Sequence, residues 1–196
     1  MTPDERKALR KSKIAARDGL SSEERDRLSK SIVSRILESQ MFRDAKTVMI
    51  YRGTRGEVRL DALEDAVRCS MEDKRLVFPL CITKEEMIAL LPDGPDAWQE
   101  GYYGIREPIR EQSLEIAPEE IDLVICPCTV FDENCGRMGM GAGFYDRYLT
   151  RCTNAHVAAA AFEVQKAEAV PMEAWDQPME MVFTDAAVYT AERKVK

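Results

Sequence analysis

The stretch VMIYRGTRGEVRLDALEDAVRCSMEDKRLVFPL, Val48 to Leu80, decides the fold. Its ends, VMIY at 48–51 and LVFPL at 76–80, are short apolar runs, as expected of strands buried on both faces. Between them LDALEDAVRCSM, residues 60–71, sets Leu60, Leu63 and Val67 at helical spacing, which turns one stripe of a helix toward a core. A strand, a helix and a second strand in that order predict parallel pairing with a right-handed crossover.

The flanking segments extend this unit. Thr2-Pro3 with Glu5 has the form of a capping box, and Gly19 closes a predicted helix over 3–18,. That helix is basic on several turns, at Arg6, Lys7, Arg10, Lys11, Lys13 and Arg17. A second capping box, Ser21 to Glu24, opens a helix with Leu28, Ile32, Val33, Ile36 and Leu37 on one stripe, ending near Met41,. Downstream, MIALL (87–91), DLVICP (122–127), HVAAAAF (156–162) and VFTDAAVYT (182–190) read as strands, and FYDRYLTRC (144–152) as a helix,. Residues 92–120 hold four prolines, three glycines and many charges, and are expected as a long surface excursion,.

Alternating strands and helices predict one open α/β sandwich over 1–196, with a helical pair at 3–41. Its ligands belong beyond the carboxyl ends of the strands, where the loop 127–143 emerges.

Composition narrows the chemistry. The chain has 196 residues, 45% hydrophobic, with 28 basic and 35 acidic side chains and a net charge of −7. That balance argues against a nucleic-acid or anionic-membrane partner. The charged N-terminus and short apolar runs point to a soluble cytoplasmic protein. Six cysteines without a CxxC pair read as free buried thiols,. The single histidine, His156, begins an apolar run and reads as an ordinary strand-end residue, so imidazole-dependent triads and multi-histidine metal sites are excluded,.

GRMGMGAGFYDRYL, Gly136 to Leu149, follows a strand and precedes a helix. Its glycines free backbone amides to converge on an anion such as phosphate. Neither GxxxxGK[ST] nor GxGxxG fits it. Glycine spacing alone leaves a connector and a phosphate loop about equally supported. Arg137 inside the loop, and Arg6 and Arg10 four apart on one helix face, supply charge that polyphosphate would need, although solvated basic faces are common. Asp146 and Asp176 offer the hard oxygens that nucleotide-bound Mg²⁺ takes. Each alone also suits a helix start or a turn.

FDENCGRMGMGAGFYDR, Phe131 to Arg147, resembles the F-D-x-x-G-x-R-L-G-x-G-x-G-Y-Y-D-R signature of the 5-formyltetrahydrofolate cyclo-ligases. RKALR (6–10), Glu57, GYYGIREP (101–108), Gln165 and VPMEAWD ending at Asp176 match that family in order and spacing. The resemblance implies a three-layer αβα sandwich around a mostly parallel sheet, of the NagB/RpiA/CoA-transferase-like kind. It implies conversion of 5-formyltetrahydrofolate and ATP into 5,10-methenyltetrahydrofolate, ADP and phosphate with Mg²⁺. A monomer is expected, although sequence does not fix the oligomeric state.

By position, the resemblance makes Arg6, Arg10, Arg137, Met138, Gly139, Met140, Gly141, Ala142, Gly143, Phe144 and Tyr145 the ATP contacts. Arg52, Glu57, Tyr103 and the stretch Met140 to Phe144 become the folate contacts, Glu57 and Tyr145 the catalytic candidates, and Asp146 and Asp176 the metal ligands. Several positions depart from the family pattern. Arg6 stands for lysine, Met138 for leucine, Phe144 for tyrosine and Cys135 for glycine. Leu60 replaces a helix-capping threonine, with Asp61 expected to take over the cap. Arg52 stands where an apolar folate contact occurs in some members. Two other readings stay open: an ATP-dependent paralogue acting on another small substrate, and a non-catalytic folate or nucleotide binder.

Overall fold

The computed structural model describes residues 2–54, 56–101 and 104–191. Its strand–helix–strand unit is the predicted one: β1 (Thr47–Met49), α4 (Asp61–Ser70) and β2 (Arg75–Cys81), with β1 and β2 parallel and Val48 opposite Leu76. Three helices precede it, α1 (Pro3–Asp18), α2 (Ser22–Glu38) and α3 (Gln40–Asp44). Both predicted capping boxes are formed, at Thr2 with Glu5 and at Ser21 with Glu24. The second helix stops earlier than its apolar stripe suggests, because Ser39 takes extended backbone and its hydroxyl accepts from the Phe42 amide at 3.2 Å. That cap starts a new short helix.

Further on come β3 (Met87–Pro92), β4 (Trp98–Glu100), β5 (Arg106–Pro108), β6 (Ser113–Ile116), β7 (Leu123–Pro127), β8 (Val130–Phe131), β9 (Arg137–Met138), α5 (Phe144–Leu149), β10 (His156–Ala160), β11 (Met181–Phe183) and β12 (Val188–Thr190). The main sheet runs β12-β11-β10-β7-β1-β2-β3-β6. Its middle, β11 to β2, is parallel, while β12, β3 and β6 add antiparallel pairings at the edges. The sheet is therefore mostly parallel, as expected.

The segment 92–120 is more ordered than a surface excursion. It contributes β6 to the main sheet and folds β4 against β5 as a separate hairpin. The predicted strand 182–190 is in fact a hairpin. Thr184 turns the chain by accepting the Ala186 and Ala187 amides on its hydroxyl at 3.2 and 2.9 Å.

Alternation along the strands feeds two cores. Val48, Leu76, Leu123 and Ala158 pack with Ile32 and Ile36 of α2, Phe42 of α3 and Leu63 and Val67 of α4. Met49, Val77, Val124 and Ala159 face the other way, toward Tyr148 and Leu149. A fully buried aliphatic side chain contributes roughly 1.5–3 kcal/mol, so these two faces supply most of the drive for folding. Helix α1 packs elsewhere, with Leu9 against Val130, Met138 and Val170. Among the described residues, no helix is long and apolar enough to cross a membrane.

Four cysteines, Cys126, Cys128, Cys135 and Cys152, are buried and free, whereas Cys69 and Cys81 are exposed. The expectation of buried thiols therefore fails at those two. His156 opens β10 at the surface, with Nδ1 2.8 Å from Glu180.

Candidate active site

A cleft of about 1130 Å³ lies past the carboxyl ends of β1, β2 and β7, where Tyr51, Cys81 and Pro127 line it. This is the place an open α/β sheet offers a ligand. The structure brings into it Arg6, Arg10, Arg52, Glu57, every residue from Arg137 to Tyr145, Asp146 and Asp176. Tyr103 lies outside the described residues.

The root of the glycine loop is built on Asp132, which is 5% exposed. Its carboxylate accepts from the amides of Asn134 (3.0 Å), Gly136 (2.9 Å) and Val170 (2.6 Å). Gly136 is needed there, since a Cβ would sit 2.8 Å from the Asp132 carboxylate. Cys135 takes the left-handed conformation, φ 63°, and is fully buried. That backbone favours glycine, which gives a physical reason for the glycine of the family pattern at this position. Burial, helped by Asp132, pushes its thiol up to about 11.

Beyond the root, Arg137 is 3% exposed and donates to Asp146 at 2.8 Å and to the Pro127 carbonyl at 3.3 Å. Burial alone would weaken its charge, but Asp146 and the neighbouring thiols hold its pKa above the ordinary value. The loop then runs exposed through Met140 to Ala142, and Gly143, at φ 71°, starts α5. The Gly139 carbonyl accepts from Arg10 Nε at 2.9 Å, so that cation braces the loop rather than standing free.

One turn earlier on α1, Arg6 donates to Asp176 at 3.1 Å and to the Pro171 carbonyl, and lies 3.8 Å from Glu173. The Gln177 amide donates to Asp146 Oδ1 at 3.2 Å. This contact seats the peptide beside Asp176 against the Asp146 carboxylate, so the two acids share one corner. Among the described residues, no hydrogen bond reaches Asp146 Oδ2 or Asp176 Oδ1. No cluster of three metal-ligating side chains is present among those residues. Two carboxylate oxygens suit a Mg²⁺ ion that takes its other ligands from phosphate and water.

The rings of Tyr51 and Phe78 add aromatic lining. The Arg52 guanidinium lies 4.5 Å from the Trp98 ring centre and 4.9 Å from Phe78, and pairs with Glu64 at 2.6 Å and Asp61 at 3.2 Å. Stacked and neutralised, it stands where an apolar residue was the family pattern. Asp61, paired with Arg52, is the first residue of α4 and not its cap: the N-cap is Leu60, with no side-chain cap hydrogen bond, against expectation. Glu57 is set by a tight turn, donating its amide to Thr54 at 2.8 Å and accepting the Thr54 amide at 3.0 Å.

Gln165, a landmark of the resemblance, is a brace. It is 1% exposed and its amide group donates to the carbonyls of Cys128 and Thr129 at 2.7 and 3.1 Å, fixing the chain after β7. Tyr51, Cys81, Arg106 and Glu107 also line the cleft and were missed. For Tyr51 and Cys81 a signal existed, since each stands at the carboxyl end of a predicted strand.

An open α/β sheet gathers a cationic glycine loop and the rings of Tyr51 and Phe78 around one cleft. Comparison makes this specific. The sequence profile of the 5-formyltetrahydrofolate cyclo-ligase family matches residues 2–185. The 5-formyltetrahydrofolate cyclo-ligase of Haemophilus influenzae is 29% identical over 91% of this chain and 97% of its own. That of Mus musculus is 25% identical over 84% and 85%. The solution structure of Aquifex aeolicus 5,10-methenyltetrahydrofolate synthetase superposes with a TM-score of 0.83 at 30% identity, covering 97% of this chain and 96% of that one. A Mycoplasma pneumoniae synthetase, 24% identical, shares the fold with a TM-score of 0.74. The chain belongs to the 5-formyltetrahydrofolate cyclo-ligase family.

Proposed function

We infer that this chain is an ATP-dependent ligase that converts 5-formyltetrahydrofolate to 5,10-methenyltetrahydrofolate with release of ADP and phosphate, acting as one domain and a cytoplasmic monomer. The observation that carries the reading is the convergence, in one cleft, of Arg6, Arg10, Arg137 and both aspartates with Glu57.

The formyl carbon of an amide is a poor electrophile, and its oxygen a poor leaving group. Transfer of the terminal phosphoryl group to that oxygen repairs both faults and releases ADP. The folate N10 then attacks the carbon, its proton is lost, and phosphate departs with the former formyl oxygen. Positioning and charge neutralisation carry most of such a step, with no protein nucleophile. Arg6, Arg10 and the loop Arg137–Tyr145 would hold the phosphates. Asp146 and Asp176 would hold Mg²⁺, which supplies charge neutralisation on the phosphates when bound. Glu57 would orient the folate against Arg52 and the stretch Met140–Phe144.

The test is to mix the purified chain with both substrates and Mg²⁺ and follow methenyl absorbance beside ADP release. Both signals rising together support the reading. ADP release only with another acceptor supports a paralogue, and binding with neither signal supports a sequestering protein. If Glu57→Gln keeps full turnover and folate affinity, the Glu57 role falls.

A further inference from the structure

Four donor atoms on residues that line the cleft make no hydrogen bond among the described residues. They are the hydroxyls of Tyr51 and Tyr145 and Nε of Arg52 and of Arg137, each shielded from solvent. They arrive from the segment after β1, from α5 and from β9, and all four residues line the cleft. A buried donor without a partner is costly, so each one asks what supplies its acceptor. Arg52, Arg137 and Tyr145 have places in the machinery above. Tyr51 has none.

Packing does not explain its hydroxyl. Tyr51 is 4% exposed and its ring belongs to the core that holds Ile50 and Phe78, where phenylalanine would fill the same space. The backbone beside it is fixed, since the Ile50 amide donates to Val77 at 3.0 Å. Burial, Glu57 and Tyr145 all push the Tyr51 phenol well above its ordinary pKa, so it remains a neutral donor in the surroundings of Glu57. A neutral donor suits an occupant that brings a carbonyl oxygen, whereas phosphate oxygens are served by the arginines.

Resting on the folate reading, we propose that the Tyr51 hydroxyl is a specificity-determining donor to a carbonyl oxygen of bound 5-formyltetrahydrofolate, on the pterin lactam or the formyl group. The test is Tyr51→Phe, which removes one oxygen, studied by calorimetric titration of the intact chain. Folate affinity falls about tenfold, as for loss of a buried hydrogen bond, while ATP affinity stays within about twofold. Without ligand, Tm is unchanged or higher. Equal weakening toward tetrahydrofolate, which lacks the formyl group, assigns the lactam; weakening confined to the formyl compound assigns the formyl oxygen. Unchanged folate affinity overturns the proposal, as does a lowered Tm with equal loss toward both substrates. Wild-type chain that binds ATP but no folate overturns the folate reading with it. Normal wild-type turnover with an unaltered Tyr51→Phe variant overturns this proposal alone.

Discussion

Arg6 on the first helix donates to Asp176 at 3.1 Å, joining parts of the chain 170 residues apart. The pair is largely buried, at 13% and 9% side-chain exposure. Helix α1 is thus latched across the cleft by groups that a nucleotide and its metal would claim. Arg6→Ala should cost about 1.5–3 kcal/mol of stability, the range for a hydrogen bond to a charged group, and raise the KM for ATP. Arg6→Lys keeps the charge but not the fork that reaches both Asp176 and Pro171, so it should recover only part of either loss. Steady-state kinetics and thermal melting check this.

Asp146 has two partners on one oxygen, Arg137 and the Gln177 amide. Asp146→Asn preserves an acceptor but removes the charge opposite a buried guanidinium. We expect a folded protein, destabilised by about 1–3 kcal/mol, whose Mg²⁺-dependent turnover falls by about 100-fold or more. Activity at the wild-type level with a normal Mg²⁺ titration would remove the metal role.

Asp132 satisfies three backbone amides at the root of the glycine loop. Asp132→Ala leaves them unpaired in a buried site, at about 1–3 kcal/mol for each donor that finds no other partner. Urea denaturation should show the largest loss of any variant considered, with ATP binding lost alongside stability.

Burial pushes the thiols of Cys126 and Cys128 up to about 12. A thiolate is the form that alkylates, so near neutral pH these two should stay unlabelled in the folded protein. Cys69 and Cys81 are exposed. Partial desolvation where it faces the cleft, together with Glu107, raises the Cys81 thiol, so Cys69 should react faster. Because Cys81 lines the cleft, bound folate should protect it while leaving Cys69 unchanged. Peptide mass mapping reads the outcome.

The core unit was legible because apolar runs and helical spacing in Val48–Leu80 leave few arrangements. The caps at Thr2 and Ser21 were legible because side-chain and backbone groups pair locally. What escaped was decided at a distance. β6 depends on the edge that β3 offers it, and nothing local in SLEI marks that pairing. Asp61 does not cap α4, because the helix starts at Asp61 itself and its carboxylate pairs with Arg52, a contact that spacing does not display. In the site, the motif residues could be named from the signature. The pairing of Arg6 with Asp176, the Arg52 stack on Trp98 and the unpaired hydroxyl of Tyr51 required the folded chain.

The central claim is that the formyl oxygen is phosphorylated before the ring closes. The direct measurement is a single turnover with 5-formyltetrahydrofolate carrying heavy oxygen in the formyl group, ATP and Mg²⁺, followed by mass analysis of the inorganic phosphate. One labelled oxygen in the phosphate is expected for each methenyl product formed. Label recovered in water, with unlabelled phosphate, would contradict it.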